Sequence, residues 1–368
     1  RDSRVSPLVS IFYLLSSIFY LLSSTMSPTR FIIAGLDHGH VRWWFNRPQR
    51  DDIELVGIYE PDPQLAADQA RRIGFDPALL RHDLGALLDE VRPDACAAFC
   101  STLAHLPVVQ ACAPRGVHVM VEKPLAVSLE DAEAMATLAR AHGIHLLTNF
   151  ATSWFASNRA AYRLVHDEKQ IGAVRKVVVH DGHWGPAAIG CGPEFLGWLT
   201  DPVRNGGGAI MDFGCYGANL MHWLLDGEQP VAVTAVTRNF QPDVYPRVDD
   251  DATVIVDYPS AQCVIYGSWN WPWHRKDMEI YGTSGAVVAV DPGTLRTRFG
   301  LNKPEQTTAL DPLPTPLDDC FAFLAAVVKG ELALAEHDLS GLANNLTVTR
   351  ILDAARESAR TGRRVELR

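Results

Sequence analysis

The chain has 368 residues, 47% of them hydrophobic and 21% charged, with a formal net charge of −10. That length supports two domains with substantial cores, and an acidic balance without a basic run excludes nucleic acid or an anionic membrane as the main partner. The seven cysteines are odd in number and form no C-x-x-C pair, which reads as reduced, core-packed thiols of a cytoplasmic protein.

The chain opens on a duplicated heptad, Ile-Phe-Tyr-Leu-Leu-Ser-Ser, at 11–17 and 18–24. This apolar run is shorter than the roughly 20 residues that span a bilayer. Arg1 and Arg4 precede it as in a signal peptide, but no small-x-small cleavage site follows. Residues 1–28 are therefore set aside as a leader or tag-like segment, with Met26 as the natural start and no membrane anchor expected.

From 29 to 148, short apolar runs alternate with amphipathic stretches. Strands are predicted at 31–34, 53–59, 95–99, 117–121 and 144–147, and helices at 40–48, 63–73, 83–91, 105–115 and 128–142. That alternation predicts an α/β Rossmann domain, a doubly wound parallel sheet. Pro63 and Gly74 bound the second helix, and Ser128 with Asp131 opens the fifth.

From 149 to 368 the rhythm changes. A helix at 155–170, a strand at 175–180 and a helix after Gly206-Gly207-Gly208 lead into strands at 231–240, 252–257, 262–271, 277–282, 286–290 and 294–299. Consecutive strands imply an α+β domain with a large open, mainly antiparallel sheet, suited to substrate binding and oligomerisation. A Pro-rich linker at 304–316 and helices at 317–329 and 339–361 complete the chain.

The most informative stretch is Glu122-Lys123-Pro124, which places a lysine at the carboxyl end of a buried parallel strand. Ligands of open α/β sheets bind at that end, and a desolvated lysine there is equipped for proton transfer. The first strand runs into Gly35-Leu36-Asp37-His38-Gly39-His40. The dinucleotide fingerprint G-x-G-x-x-G needs glycine at 37 and 40, and neither is present. Gly39 is the position that takes over the approach to pyrophosphate at a helix N-terminus, and Asp37 must point away from phosphate or weaken cofactor binding. Glu60 ends the second strand, where a carboxylate accepts ribose hydroxyls and disfavours a 2′-phosphate. NAD is therefore expected over NADP. His38 and His40 have no third ligand at a convincing spacing, so no metal is expected. Trp269, Trp271 and Trp273, at strand spacing, are expected on one side of a sheet, as packing or a subunit interface.

Taken together, the strand–turn–helix at 31–45, Ser101-Thr102-Leu103-Ala104-His105, Glu122-Lys123-Pro124 and Gly206-Gly207-Gly208-Ala209-Ile210-Met211-Asp212-Phe213-Gly214 resemble the glucose–fructose oxidoreductase/inositol dehydrogenase (Gfo/Idh/MocA-like) family over roughly 29–368. The resemblance implies a nicotinamide-dependent dehydrogenase or reductase acting on a sugar, polyol or cyclic hydroxy/oxo compound. Many members carry a histidine four residues after the aspartate and an acid three residues later; here those positions are Tyr216 and Asn219. That departure resembles the branch that uses a tyrosine acid/base beside a lysine.

The expected catalytic set is Lys123, Asp212 and Tyr216, with the Lys123 ammonium lowering the phenol's pKa. Ser101, Thr102 and His105, with Glu122 and Lys123, join the Gly35–His40 loop and Glu60 as cofactor positions. Asn149 and Trp184 join Asp212 and Tyr216 on the substrate side. A homodimer or homotetramer through the second sheet is expected. Two rivals stand beside the enzyme: a non-catalytic dinucleotide or sugar sensor, favoured by the altered glycine loop, and NAD-assisted glycoside cleavage or elimination.

Overall fold

The structure, a computed structural model, describes residues 27–367. The leader reading at 1–25 lies outside the described residues. The first sheet contains β1 (Thr29–Ala34), β2 (Ile53–Tyr59), β3 (Leu80–Arg81), β4 (Ala95–Ala98), β5 (His118–Glu122) and β6 (Leu146–Asn149). Its order is β3-β2-β1-β4-β5-β6, with every pairing parallel. The strand order reverses between β1 and β4, the switch point at which open α/β sheets bind ligands.

Local chemistry sets the helix ends around this sheet. The Asp62 carboxylate accepts from the Gln64 and Leu65 amides, Pro63 fits the first turn, and Gly74 closes the helix at φ 85°. Ser128 accepts from the Asp131 amide and Gly143 closes that helix. The segment expected as one helix at 40–48 is instead a 3₁₀ turn, Gly39–Val41, followed by a five-residue helix, Arg42–Asn46. The glycine loop therefore runs into a tight turn rather than a full α-helical N-terminus.

The second sheet contains β7 (Val174–Gly182), β8 (Ala232–Arg238), β9 (Asp251–Asp257), β10 (Gln262–Ser268), β11 (Arg275–Gly282), β12 (Gly285–Asp291), β13 (Thr294–Phe299), β14 (Gln306–Ala309) and β15 (Val365–Glu366). Its order is β14-β13-β12-β11-β7-β10-β9-β8-β15. Only β7 and β10 pair in parallel. Residues alternate along each strand, so Val177, Val179, Ile265, Met278 and Ile280 enter the core beneath helices Gly214–Leu224 and Leu342–Thr361.

Two expectations change here. The proposed linker at 304–316 contains β14, an exposed edge strand whose polar Gln-Thr-Thr-Ala sequence carries no apolar alternation. The tryptophans at 269–273 do not form a strand stripe, because β10 ends at Ser268 and a loop follows. Trp269 is fully buried, whereas Trp273 is 62% exposed. Farther along, helix Cys320–Val328 returns to the first sheet. There Phe321, Phe323 and Leu324 pack in one cluster with Phe31, Ile33 and Trp44.

Candidate active site

Lys123 follows β5 and is buried, as its place at the strand's carboxyl end requires. Its ammonium is ion-paired with Asp212 Oδ1 and also donates to the Asp212 carbonyl at 3.1 Å. Asp212 Oδ2 accepts from Trp269 Nε1 at 2.9 Å, so both carboxylate oxygens are engaged. Burial alone would favour neutral forms of both partners. Their mutual attraction prevails, holding Asp212 below the usual carboxylate range and Lys123 above the usual lysine range.

The glycine run explains how Asp212 is placed. Gly206 adopts φ 85°, and a Cβ on Gly208 would lie 1.8 Å from the Asp249 carbonyl oxygen. Only glycine lets the backbone approach so closely. Asp249 then accepts from the Gly208 and Ile210 amides and fixes the start of helix Ala209–Asp212.

Tyr216 lies one turn beyond Asp212, is almost fully buried, and sits between two ammonium groups. Lys123 Nζ is 5.2 Å from its ring centroid, and Lys276 Nζ is 3.5 Å from it. Lys276 in turn donates to Asp181 Oδ1 at 2.6 Å. The expectation that Lys123 lowers the Tyr216 pKa is overturned. Burial pushes the phenol well above its ordinary range, and Asp181, Glu122 and Asp212 push the same way. The phenol is therefore held in its protonated form in this setting.

Behind Lys123, Glu122 Oε1 accepts from Asn149 Nδ2 at 2.7 Å, and Asn149 Oδ1 accepts from Trp154 Nε1 at 3.0 Å. His40 Nδ1 lies 3.2 Å and His38 Nε2 3.9 Å from Glu122 Oε2. Glu122 thus supplies the third donor that spacing alone did not reveal, and the trio is close enough to face one cation. Hydrogen bonding argues against that use. His38 Nδ1 accepts from the His40 amide at 3.1 Å, and burial depresses its pKa to about 3. The neutral ring therefore carries its proton on Nε2, the atom a metal would need.

In the glycine loop, Gly35 adopts φ 88°, and a Cβ there would lie 2.6 Å from Cys100 Cβ. A Cβ on Gly39 would meet nothing within 4 Å, leaving open space for a ligand's approach. Glu60 Oε2 accepts from the Leu36 amide at 2.8 Å and Oε1 from the Asp62 amide at 3.0 Å. Asp37 does not face open solvent. Arg204 lies 3.6 Å from its Oδ2, and burial raises its pKa to about 7. Helix Pro193–Leu199 leans on the same loop through Phe195 and Trp198, whose rings lie 4.9 and 5.8 Å from that of His38. The tight Gly35 turn, the open Gly39 and the Glu60 carboxylate at the end of β2 fit a dinucleotide. A bound nicotinamide would supply hydride acceptance or return.

A cavity of about 440 Å³ is lined by His38, Gly39, His40, Lys123, Asp212 and Tyr216 among others, while Gly35, Leu36, Asp37, Glu60 and Glu122 lie outside its lining. The structure does not bring every expected residue to it. Asn149 is committed to Glu122. Trp184 is 44% exposed and lies away from the cavity lining. His105 is buried with Nδ1 3.1 Å from the Leu125 carbonyl, so it braces the loop after Lys123. Ser101 and Thr102 are buried, and Thr102 Oγ1 donates to Asn205. Sequence reasoning missed Lys276 and Asp181, and gave Trp269 only a packing or interface role. It also passed over Arg204.

Two family models match the chain: the NAD-binding Rossmann fold of an oxidoreductase family over residues 29–150, and the GFO/IDH/MocA C-terminal domain over residues 158–288. A dTDP-3,4-didehydro-2,6-dideoxy-alpha-D-glucose 3-reductase from Streptomyces antibioticus is 28% identical over 315 residues, 83% of this chain and 90% of that protein. D-xylose 1-dehydrogenase (NADP(+)) 2 from Haloferax volcanii is 28% identical over 87% of this chain and 94% of its own length. Among solved structures, an inositol dehydrogenase homolog complexed with NAD+ from Azotobacter vinelandii has the same fold, with TM-score 0.80 and 19% identity over 93% of this chain and 98% of that one. With both halves matched and the site assembled between them, the chain belongs to the Gfo/Idh/MocA family of oxidoreductases.

Proposed function

We propose that the protein transfers hydride between NAD(H) and a hydroxyl or oxo carbon of a sugar, polyol or cyclic hydroxy/oxo compound. The observation that carries this reading is the Lys123–Asp212 pair, fixed at the carboxyl end of β5 and opening on the cavity shared with Tyr216. Lys123 and Tyr216 act as donors to the substrate oxygen, polarising a carbonyl or holding a hydroxyl in place. The names of the relatives, a sugar-nucleotide reductase and a xylose dehydrogenase, support that substrate class.

NAD is favoured over NADP on the strength of Glu60, the acid that follows β2, where this fold meets the adenosine ribose. Residues 29–148 hold the cofactor and 149–368 the substrate. The outer face of the second sheet exposes Val236, Tyr266 and Tyr281, and it carries a concavity of about 710 Å³ beside Leu301. That face suits a second copy in a homodimer or homotetramer. No described helix is long and apolar enough to cross a membrane, and the unpaired cysteines fit a cytoplasmic setting.

The test is titration with NADH and NADPH by nicotinamide fluorescence, followed by a sugar and polyol oxidation screen. Tight NADH, weaker NADPH and turnover of at least one polyol are expected. Binding of neither nucleotide by folded, cofactor-free protein would move the assignment to the sensor.

A further inference from the structure

We propose that Asp181, reached through the Lys276 ammonium, receives the proton released when the substrate hydroxyl is oxidised. This rests on the oxidoreductase reading above. Lys276 on β11 and Asp181 on β7 are direct cross-strand neighbours on one face of the sheet, Asp181 buried and Lys276 part-buried at the cavity. Lys276 lines the same cavity as Lys123, Asp212 and Tyr216, and its ammonium lies against the Tyr216 ring. Asp181 Oδ1 holds Lys276, while its Oδ2 is buried without a partner.

Several other polar groups near the cavity are already engaged or keep their proton. Both Asp212 oxygens are occupied. Glu122 is held by Asn149 and faces His40. His183 Nδ1 accepts from the Gly185 amide at 2.9 Å, and burial holds the ring neutral, so it presents an N–H. His38 is occupied in the same way. Tyr216 keeps its own proton.

Asp181 and Lys276 face Lys123 from the loop after β5, Asp212 and Cys215 from the helices above, Tyr216, and His183 and His274 at the rim. In that setting burial raises the Asp181 carboxyl to about 7 and lowers Lys276, which narrows the gap in proton affinity between acid and lysine. In oxidation, the substrate C–H bond gives its hydrogen and electron pair to the nicotinamide of NAD+. The O–H proton passes to Lys276 as Lys276 passes one of its own to Asp181, and the carbon–oxygen double bond forms. Asp181 then returns the proton through Lys276 to the water of the cavity.

The experiment compares wild type, Asp181→Asn and the charge-free double variant Asp181→Asn/Lys276→Met. The polyol used is the one with the highest turnover in the screen above. Wild-type kcat for oxidation should fall as pH drops through about 7, because a protonated Asp181 cannot accept. Asp181→Asn should lose that limb and about 10²-fold or more in kcat, with NADH affinity within roughly threefold of wild type. The double variant removes both buried charges and carries the test if the single variant fails to fold. A second readout needs no turnover: the protonated-carboxyl infrared band of wild type minus variant should titrate near neutrality. A limb retained in a folded variant, or no such difference band, overturns the proposal while leaving the oxidoreductase reading intact. Nucleotide binding with no turnover of any polyol by wild type would overturn both.

Discussion

Two Lys–Asp pairs flank Tyr216, built from the same groups and buried alike, and they are tuned in opposite directions. In Lys123–Asp212 the acid is held below its ordinary range and the lysine above it. In Lys276–Asp181 the acid is raised and the lysine lowered. The difference lies in the donors. Asp212 receives Trp269 Nε1 on the oxygen that Lys123 leaves free, and Lys123 gains the Asp212 carbonyl as well. Asp181 has Lys276 alone and an unpartnered second oxygen. Burial disfavours charge in both pairs; the Lys123 charge is the largest influence that lowers Asp212, and the Trp269 hydrogen bond adds to it. One pair is thereby a fixed electrostatic post and the other a proton carrier.

The largest effect should come from removing the fixed post. Lys123→Met eliminates the ammonium and leaves Asp212 buried with only Trp269. Turnover should fall by about 10²–10⁴-fold, with nucleotide affinity reduced far less. Steady-state rates and fluorescence titration of the same preparation check this, and activity within threefold of wild type would remove Lys123 from the chemistry.

Trp269→Phe sharpens the comparison by making the first pair resemble the second. It deletes one charge-assisted hydrogen bond to Asp212, a contact worth about 1.5–3 kcal/mol, while keeping most of the ring. The Asp212 carboxyl should move up toward its ordinary range. Turnover should drop by about tenfold and show a second, lower acid limb beneath the one near 7 that wild type has. An unchanged pH profile would mean that Trp269 only fills space.

The parts of this arrangement differ in how openly the chain displays them. Lys123 and Asp212 lie in short contiguous motifs, and the parallel strands around Lys123 announce themselves as apolar runs between capped helices. Asp181 and Lys276 lie 95 positions apart, and nothing in either neighbourhood names the other. Alternation along β7 and β11 marks both as inward-facing, but only the register of the second sheet makes them a pair. Trp269 was visible as an aromatic in a cluster of three. Its role depends on the chain leaving the strand after Ser268, which spacing at period two conceals. β14 and β15 escaped notice because short, exposed edges carry no apolar pattern.

Asp37, part-buried, extends the contrast to an acid outside the pairs. It faces Glu60, Cys100 and Arg204, and its folded pKa of about 7 lies above the ordinary value of 3.8. Between those values the folded chain holds a proton that the unfolded chain has released, so this residue's contribution to stability falls as pH rises through that window. Asp37→Asn abolishes the titration and keeps an acceptor for Arg204. Relative to wild type, the variant should gain about 2–3 kcal/mol between about pH 5 and about pH 8. Thermal unfolding at the two values measures the gap, and a gap that does not widen with pH would show that Asp37 is ionised throughout.

The smallest expected change in stability separates two glycines of the same loop. Gly35 is demanded by the fold, since its backbone is left-handed and Cys100 occupies the place of a side chain. Gly39 has neither constraint: its φ is ordinary and a Cβ would enter open space. Gly39→Ala should therefore alter stability by no more than about 0.5 kcal/mol. If the open space is where pyrophosphate approaches the backbone, the same methyl group should weaken NADH binding by about tenfold or more, since the fingerprint uses glycine at such points to admit the phosphates. Unchanged stability with weakened binding would assign Gly39 to the cofactor. Unchanged stability with unchanged binding would move the pyrophosphate elsewhere, toward Arg204 and the helix that leans on this loop.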